Sequence, residues 1–105
     1  MRMDIRKTNI PWSTALAAYA ERLVQRRLGR LRLGVRSVMV RFSDINGPRG
    51  GEDKRCYVTA QLNCGREIRV SATDSCAYRA TDGAVARLRR SVTRRFKRDA
   101  EHRRR

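Results

Sequence analysis

Residues 56–72 read Cys56-Tyr57-Val58-Thr59-Ala60-Gln61-Leu62-Asn63-Cys64-Gly65-Arg66-Glu67-Ile68-Arg69-Val70-Ser71-Ala72, and this stretch decides the fold. Cys56, Val58, Ala60, Leu62 and Cys64 alternate with Tyr57, Thr59, Gln61 and Asn63, a period of two that suits a strand with one buried face. After Asn63-Cys64-Gly65-Arg66, which suits a tight hairpin, Ile68, Val70 and Ala72 repeat the pattern. The pair is then an antiparallel unit with a single apolar face, and that face needs an amphipathic cover.

Upstream, Val38, Val40 and Phe42 alternate with Ser37, Met39 and Arg41, which predicts another half-buried strand over residues 35–44. Residues 45–54 contain Gly47, Pro48, Gly50 and Gly51 and read as a flexible connection. At the start of the chain Met3 and Ile5 alternate with charged neighbours, a short strand over residues 2–8 that Ile10-Pro11-Trp12 breaks. Ser13 is a suitable N-cap for a helix running to Leu31, with Leu16, Ala20, Leu23, Val24, Leu28 and Leu31 on its buried side and Gly34 marking the exit. Downstream of the hairpin, residues 75–97 form a second helix. At about 100° per residue, Tyr78, Val85, Leu88, Val92 and Phe96 fall on one arc, whereas Arg79, Arg87, Arg90, Arg94, Lys97 and Arg98 fall on the other side.

The expected order is therefore β-α-β-β-β-α, an α+β fold with a four-stranded mixed sheet and two helices side by side on one face. The first two strands should form a right-handed parallel crossover, and the rest an antiparallel meander. Because each strand has only one apolar face, both helices must cover the same side, which sets their polar faces next to one another.

That placement matters because of the charge. The chain has 105 residues, enough for a single domain, with 26 Lys and Arg against 10 Asp and Glu, a formal net charge of +16. Residues 87–105 hold ten basic and two acidic side chains, half of the excess. Such a field draws phosphate polymers and makes affinity steeply salt-dependent. Residues 1–98 read as one RNA-binding domain and 99–105 as a basic, disordered tail in which Arg103, Arg104 and Arg105 add affinity without geometry. The N-terminus has no apolar core of a signal peptide, and no apolar run approaches the roughly 20 residues of a membrane span, so a soluble, cytoplasmic protein is expected. Three cysteines, Cys56, Cys64 and Cys76, suit a reducing compartment.

Catalytic chemistry finds little support. The glycine loop is not followed by Lys-Ser or Lys-Thr opening a helix, so nucleotide binding is not expected there, although Arg49 and Lys54 could touch RNA. Three cysteines without a Cys-x-x-Cys pair and a single histidine argue against zinc, and nothing fixed surrounds His102 to make it a general base. The carboxylates do not converge on one face as a nuclease would need. No catalytic residue, metal or cofactor is expected. Cys56 and Cys64 share strand parity and should be buried thiols, and Trp12 and Tyr19 packing residues.

With this order established, the chain resembles the ribosome hibernation-promoting factor and ribosome-associated inhibitor family, also called ribosomal subunit interface proteins. Met3-Asp4-Ile5 is similar to the family's opening strand, and Ser13-Thr14-Ala15-Leu16 with Tyr19 to its first helix. Asp44-Ile45-Asn46-Gly47-Pro48-Arg49-Gly50-Gly51-Glu52-Asp53-Lys54, leading into Cys56, resembles the loop of one branch, and Gly65-Arg66-Glu67-Ile68 its last hairpin. Tyr78-Arg79-Ala80-Thr81-Asp82 resembles the opening of its second helix. Thr81 stands where the family usually has an aliphatic residue and Cys76 where an acidic one is common. The chain is similar to a short form without a dimerising domain.

The resemblance implies a non-enzymatic protein that binds the small ribosomal subunit in the messenger and transfer RNA channel and inhibits translation during hibernation or stress. Its partners would be that subunit and its ribosomal RNA, with no membrane or small-molecule substrate, and it would be monomeric when free. Arg87, Arg90 and Arg94 match the basic positions of the family's second helix and agree with the face given by periodicity. In the first helix periodicity favours Arg22, Arg26 and Arg30 as one exposed stripe, whereas the resemblance is compatible with Arg27 and Arg30. The alternative is a general module for structured RNA, since two helices on a sheet also occur in double-stranded RNA-binding domains.

Overall fold

The structure is a computed structural model that describes residues 1–8, 14–44 and 53–103. Alternation produces four strands, β1 (Arg2–Thr8), β2 (Val35–Asp44), β3 (Lys54–Leu62) and β4 (Glu67–Asp74), in one sheet of order β1-β2-β3-β4. β1 runs parallel to β2, with Met3 opposite Val38 and Ile5 opposite Val40. The β2–β3 and β3–β4 pairs are antiparallel, with Val58 opposite both Val40 and Val70. Helix α1 (Thr14–Leu28) makes the crossover between the parallel strands, and α2 (Ala77–Arg103) follows β4. This is the predicted α+β order.

Parity then decides what is buried. Val38, Val40, Phe42, Cys56, Val58, Ala60 and Leu62 form the floor of the core. Leu16, Ala20, Leu23, Val24 and Leu28 of α1, together with Ala80, Ala84, Val85, Leu88 and Val92 of α2, cover it. The helices also touch each other, so they lie side by side on this one face. A leucine buried as completely as Leu88 contributes about 1.5–3 kcal/mol relative to an exposed one. Thr81, the polar residue within the buried arc, satisfies its hydroxyl by donating to the Ala77 carbonyl at 2.7 Å. Burial pushes the Cys56 thiol up to about 12, against a weaker lowering by a hydrogen bond with Thr81. A thiol so held does not ionise at physiological pH.

Three differences from the predicted element ends bear on the site residues. First, α1 stops at Leu28 and a 3₁₀ turn, Gly29–Gly34, carries the chain into β2. Gly29 sits at φ +51°, the left-handed conformation in which glycine ends an α-helix without penalty. Second, β3 ends at Leu62, whose N–H bonds back to the Arg66 carbonyl at 2.8 Å and closes the hairpin. Cys64 therefore lies in the turn, beyond the reach of strand parity, and is exposed rather than buried. Third, α2 continues past Lys97 to Arg103, so residues 99–103 of the basic tail extend the helix. Trp12, the Ser13 cap, Arg49 with most of its loop, and Arg104 and Arg105 lie outside the described residues.

The start and the far end of α2 are both anchored. At its start, the Asp74 carboxylate accepts the Cys76 N–H at 3.0 Å, an Asx turn that leads into the helix. That bond, reinforced by the Arg79 guanidinium, holds the Asp74 carboxyl below the usual carboxylate range. Near its far end Phe96 packs on Gly34, where a Cβ would come within 2.6 Å of the ring. Among the described residues no helix is long and apolar enough to cross a membrane.

Candidate nucleic-acid interface

From Gly83 to Arg98 the second helix carries seven cations and no carboxylate. Two backbone contacts fix how that fan is oriented. Arg89 donates through Nε to the Arg27 carbonyl in the last turn of α1 at 2.9 Å, so its flank of α2 faces α1. Arg87 donates through Nη1 to the Ser71 carbonyl of β4 at 2.6 Å, so the opposite flank faces the sheet edge. Leu88, between them, points at the core. Residues about half a turn from Leu88 then form the outward crest, and these are Arg79, Arg90 and Lys97.

The predicted residues divide accordingly. Arg90, Arg94, Lys97 and Arg98 are exposed. Arg90, Arg94 and Lys97 share a shallow depression with Arg89 and Thr93, whereas Arg94 and Arg98 also line a groove with Ser91, Arg95 and Ile68 beside the start of β4. Arg87 is exposed but tied to Ser71, and Arg79 is paired with Asp74 at 3.2 Å. On α1, Arg22 and Arg26 lie one turn apart on the exposed side, but Arg30 is carried by the 3₁₀ turn and no longer follows their helical register. Arg27 is also exposed, although its position falls near the buried arc of α1. Lys54, suggested as an RNA contact, is paired with Asp44 at 2.9 Å.

Two basic residues of α2 were not singled out by periodicity. Arg89 sits between the apolar and basic arcs, and only the position of α1 reveals that it joins the two helices. Arg95 falls within the apolar arc itself and is half-buried, its Nε 3.4 Å from Asp99 Oδ1. The carboxylate lies off the N–H axis, so this buried Nε makes a Coulombic contact without a hydrogen bond. Asp99 four residues on is the sequence signal that could have accompanied it.

The seam between the helices is aromatic. Tyr19 packs edge-on against Tyr78, with ring centroids 5.0 Å apart and planes at 67°, and its hydroxyl donates to Asp82 Oδ1. That hydrogen bond, with some burial and the Asp82 charge, raises the Tyr19 phenol above its ordinary value. Tyr19 is thus a packing residue, as expected, whereas Tyr78, predicted for the core, is 39% exposed because its neighbour is α1 rather than the sheet. Among the described residues no cluster of three or more His, Cys, Asp or Glu is placed to hold a metal ion.

The sequence profile described as sigma 54 modulation protein / S30EA ribosomal protein matches residues 3–99, nearly the whole chain. The chain belongs to this family. It is the family that the sequence motifs resemble. The structure is similar to that of a ribosomal subunit interface protein from Coxiella burnetii, with a TM-score of 0.81 at 16% identity over 92% of this chain and 99% of that one. It is also similar to the crystal structure of the N-terminal domain of Protein Y from Thermus thermophilus, with a TM-score of 0.68 at 26% identity over 90% of this chain and 98% of that domain. None of the curated proteins matches the sequence significantly.

Proposed function

We propose that this S30EA-family protein is a non-enzymatic ribosome-binding factor that occupies the messenger and transfer RNA channel of the small subunit and inhibits translation during hibernation or stress. The observation that carries this reading is the carboxylate-free basic run of α2, oriented outward by the Arg87 and Arg89 anchors, in a chain of that family. Arginine suits the task because its planar fork bridges phosphate oxygens and stacks on bases. Contacts of this kind position a protein on RNA without reading its sequence, so specificity would come from the shape of the folded ribosomal RNA. Arg90, Arg94, Lys97 and Arg98 would carry direct contacts, with Arg22, Arg26 and Arg30 extending the surface across α1. Arg87 and Arg79 would contribute after exchanging or sharing their present partners.

The test is co-sedimentation with purified small subunits at low and high salt, together with an in vitro translation assay. Binding that weakens with salt, and translation that falls as the protein saturates subunits, are the expected results. Failure to bind subunits at low salt would sink the proposal. Competition with a generic RNA hairpin separates it from a general structured-RNA module: equal affinity for the hairpin would favour the latter.

A further inference from the structure

The face of the sheet turned away from the helices is built from the other half of each alternation, and it too is basic. Among the described strand residues its arginines are Arg2, Arg6, Arg41, Arg55 and Arg69, and its carboxylates are Asp4 and Glu67. Both acids are already engaged, Asp4 with Arg6 at 2.9 Å and Glu67 with Arg69 at 3.0 Å. Arg41 and Arg55 instead hold an aromatic ring. Their guanidinium carbons lie 4.6 and 5.7 Å from the centroid of Tyr57, and Arg55 Nε donates to Thr73 Oγ1 at 3.0 Å.

The register sharpens the point. Arg6 lies directly opposite Arg41, and Arg41 directly opposite Tyr57, so one row across the sheet reads cation, cation, aromatic. Like charges directly opposite one another destabilise a sheet, so the Arg6–Arg41 pair is kept at a cost in stability. Packing against Tyr57 also restricts where the two guanidinium groups can sit, which lowers the entropy lost when they bind. A guanidinium lying over a ring offers a flat surface to a nucleobase while its N–H edges remain free for phosphate. Hydroxyls on the same face, from Ser37 to Thr59 and Thr73, can bond to sugar or phosphate oxygens.

We propose that this open sheet face is a second RNA-binding surface, which takes a single-stranded segment across β1, β2 and β3 with Arg41, Tyr57 and Arg55 at its centre. It goes beyond the ribosomal reading and does not depend on it. The helix crest and this face lie on opposite sides of the sheet in a molecule of 54 × 22 × 19 Å, so one copy could hold two RNA segments at once.

Fluorescence anisotropy of the full chain with a labelled oligouridylate and with a labelled duplex hairpin tests this, with circular dichroism to confirm folding. Arg41→Ala/Arg55→Ala should weaken oligouridylate binding about tenfold or more and flatten its salt dependence by about 1.4 in log–log slope, at about 0.7 per single-strand phosphate contact. Hairpin binding should stay within about twofold, because it uses the helices. Should the double alanine variant fail to fold, Arg41→Lys/Arg55→Lys keeps the charge and removes the planar stack; it should retain the salt slope while losing affinity for the oligouridylate. Folded variants that bind oligouridylate as the wild type does would overturn the proposal. So would polyglutamate competing as well as oligouridylate at equal charge, which would assign the face to an acidic protein.

Discussion

Replacing Arg90, Arg94 and Lys97 together by alanine separates binding from folding. In the structure all three project from α2 beside the depression that they share with Arg89 and Thr93, and none is buried. Truncating exposed side chains of this kind costs no more than about 0.5 kcal/mol of stability. Binding should respond quite differently. If each cation meets one phosphate of duplex RNA, three lost contacts lower the log–log salt slope by about 2.7, at about 0.9 apiece. Raising salt from about 50 to about 200 mM then weakens the wild type about 40-fold more than the variant, so the two affinities converge as salt rises. The assay is equilibrium binding of labelled protein to small subunits over that salt range, with a thermal melt of each variant alongside. Arg89→Ala is the internal contrast: it breaks the bond to the Arg27 carbonyl and should cost about 1 kcal/mol of stability. An unchanged slope in the triple variant, with folding intact, would refute the crest as the contact surface.

Other consequences can be measured without RNA. Gly34→Ala would drive a methyl into the Phe96 ring and should destabilise the protein by about 1–3 kcal/mol in a denaturant titration; Phe96→Leu in the same chain should recover part of the loss. Tyr19 has its phenol raised in the fold, so its contribution is full below the unfolded value near 10 and is lost as pH rises through the folded one. Absorbance titration should therefore show one late-ionising tyrosine, absent in Tyr19→Phe, whose stability should fall less steeply at alkaline pH. Exposed Cys64 should react promptly with a thiol reagent, whereas Cys56 should react only on unfolding. Prompt labelling of Cys56 would mean that the β3 floor opens far more readily than its burial implies.

Much of this architecture is legible in the residues because one physical rule governs it. Alternation in Val38-Val40-Phe42 and Cys56-Val58-Ala60-Leu62 can be satisfied only by a one-sided sheet, and a one-sided sheet places both helices. The rule fails where an element stops. Gly29 and Gly34 are equally plausible helix ends on composition; the choice falls to Gly29 because Gly34 is needed beneath Phe96, a contact sixty-two residues away in the chain. Cys64 carries the parity of β3, but the Leu62–Arg66 hydrogen bond closes the turn before parity can act. The candidate interface was readable as a face of α2, but not as a direction. Periodicity says that Arg87 and Arg90 avoid the core, yet only the positions of Ser71 and Arg27 tell which flank meets β4 and which meets α1. Arg95 hides for the converse reason, since a cation on an apolar arc reads as an exception until its groove and Asp99 are seen.

The parallel pairing of β1 has a consequence for how the molecule opens. β1 lies at one edge of the sheet and leans on β2, with only slight contact to α1, and Met3 and Ile5 are half-buried where the core-facing residues of the central strands are fully buried. Its register joins Arg2 to Ser37 across the whole α1 crossover, whereas β2, β3 and β4 follow one another as neighbours. The meander with α2 is thus the cooperative unit, and the first strand is the part that closes the longest loop for the least buried surface. In native-state hydrogen exchange its amides should open first, below the free energy of global unfolding. The strand that begins the chain would then be the last to lock into place.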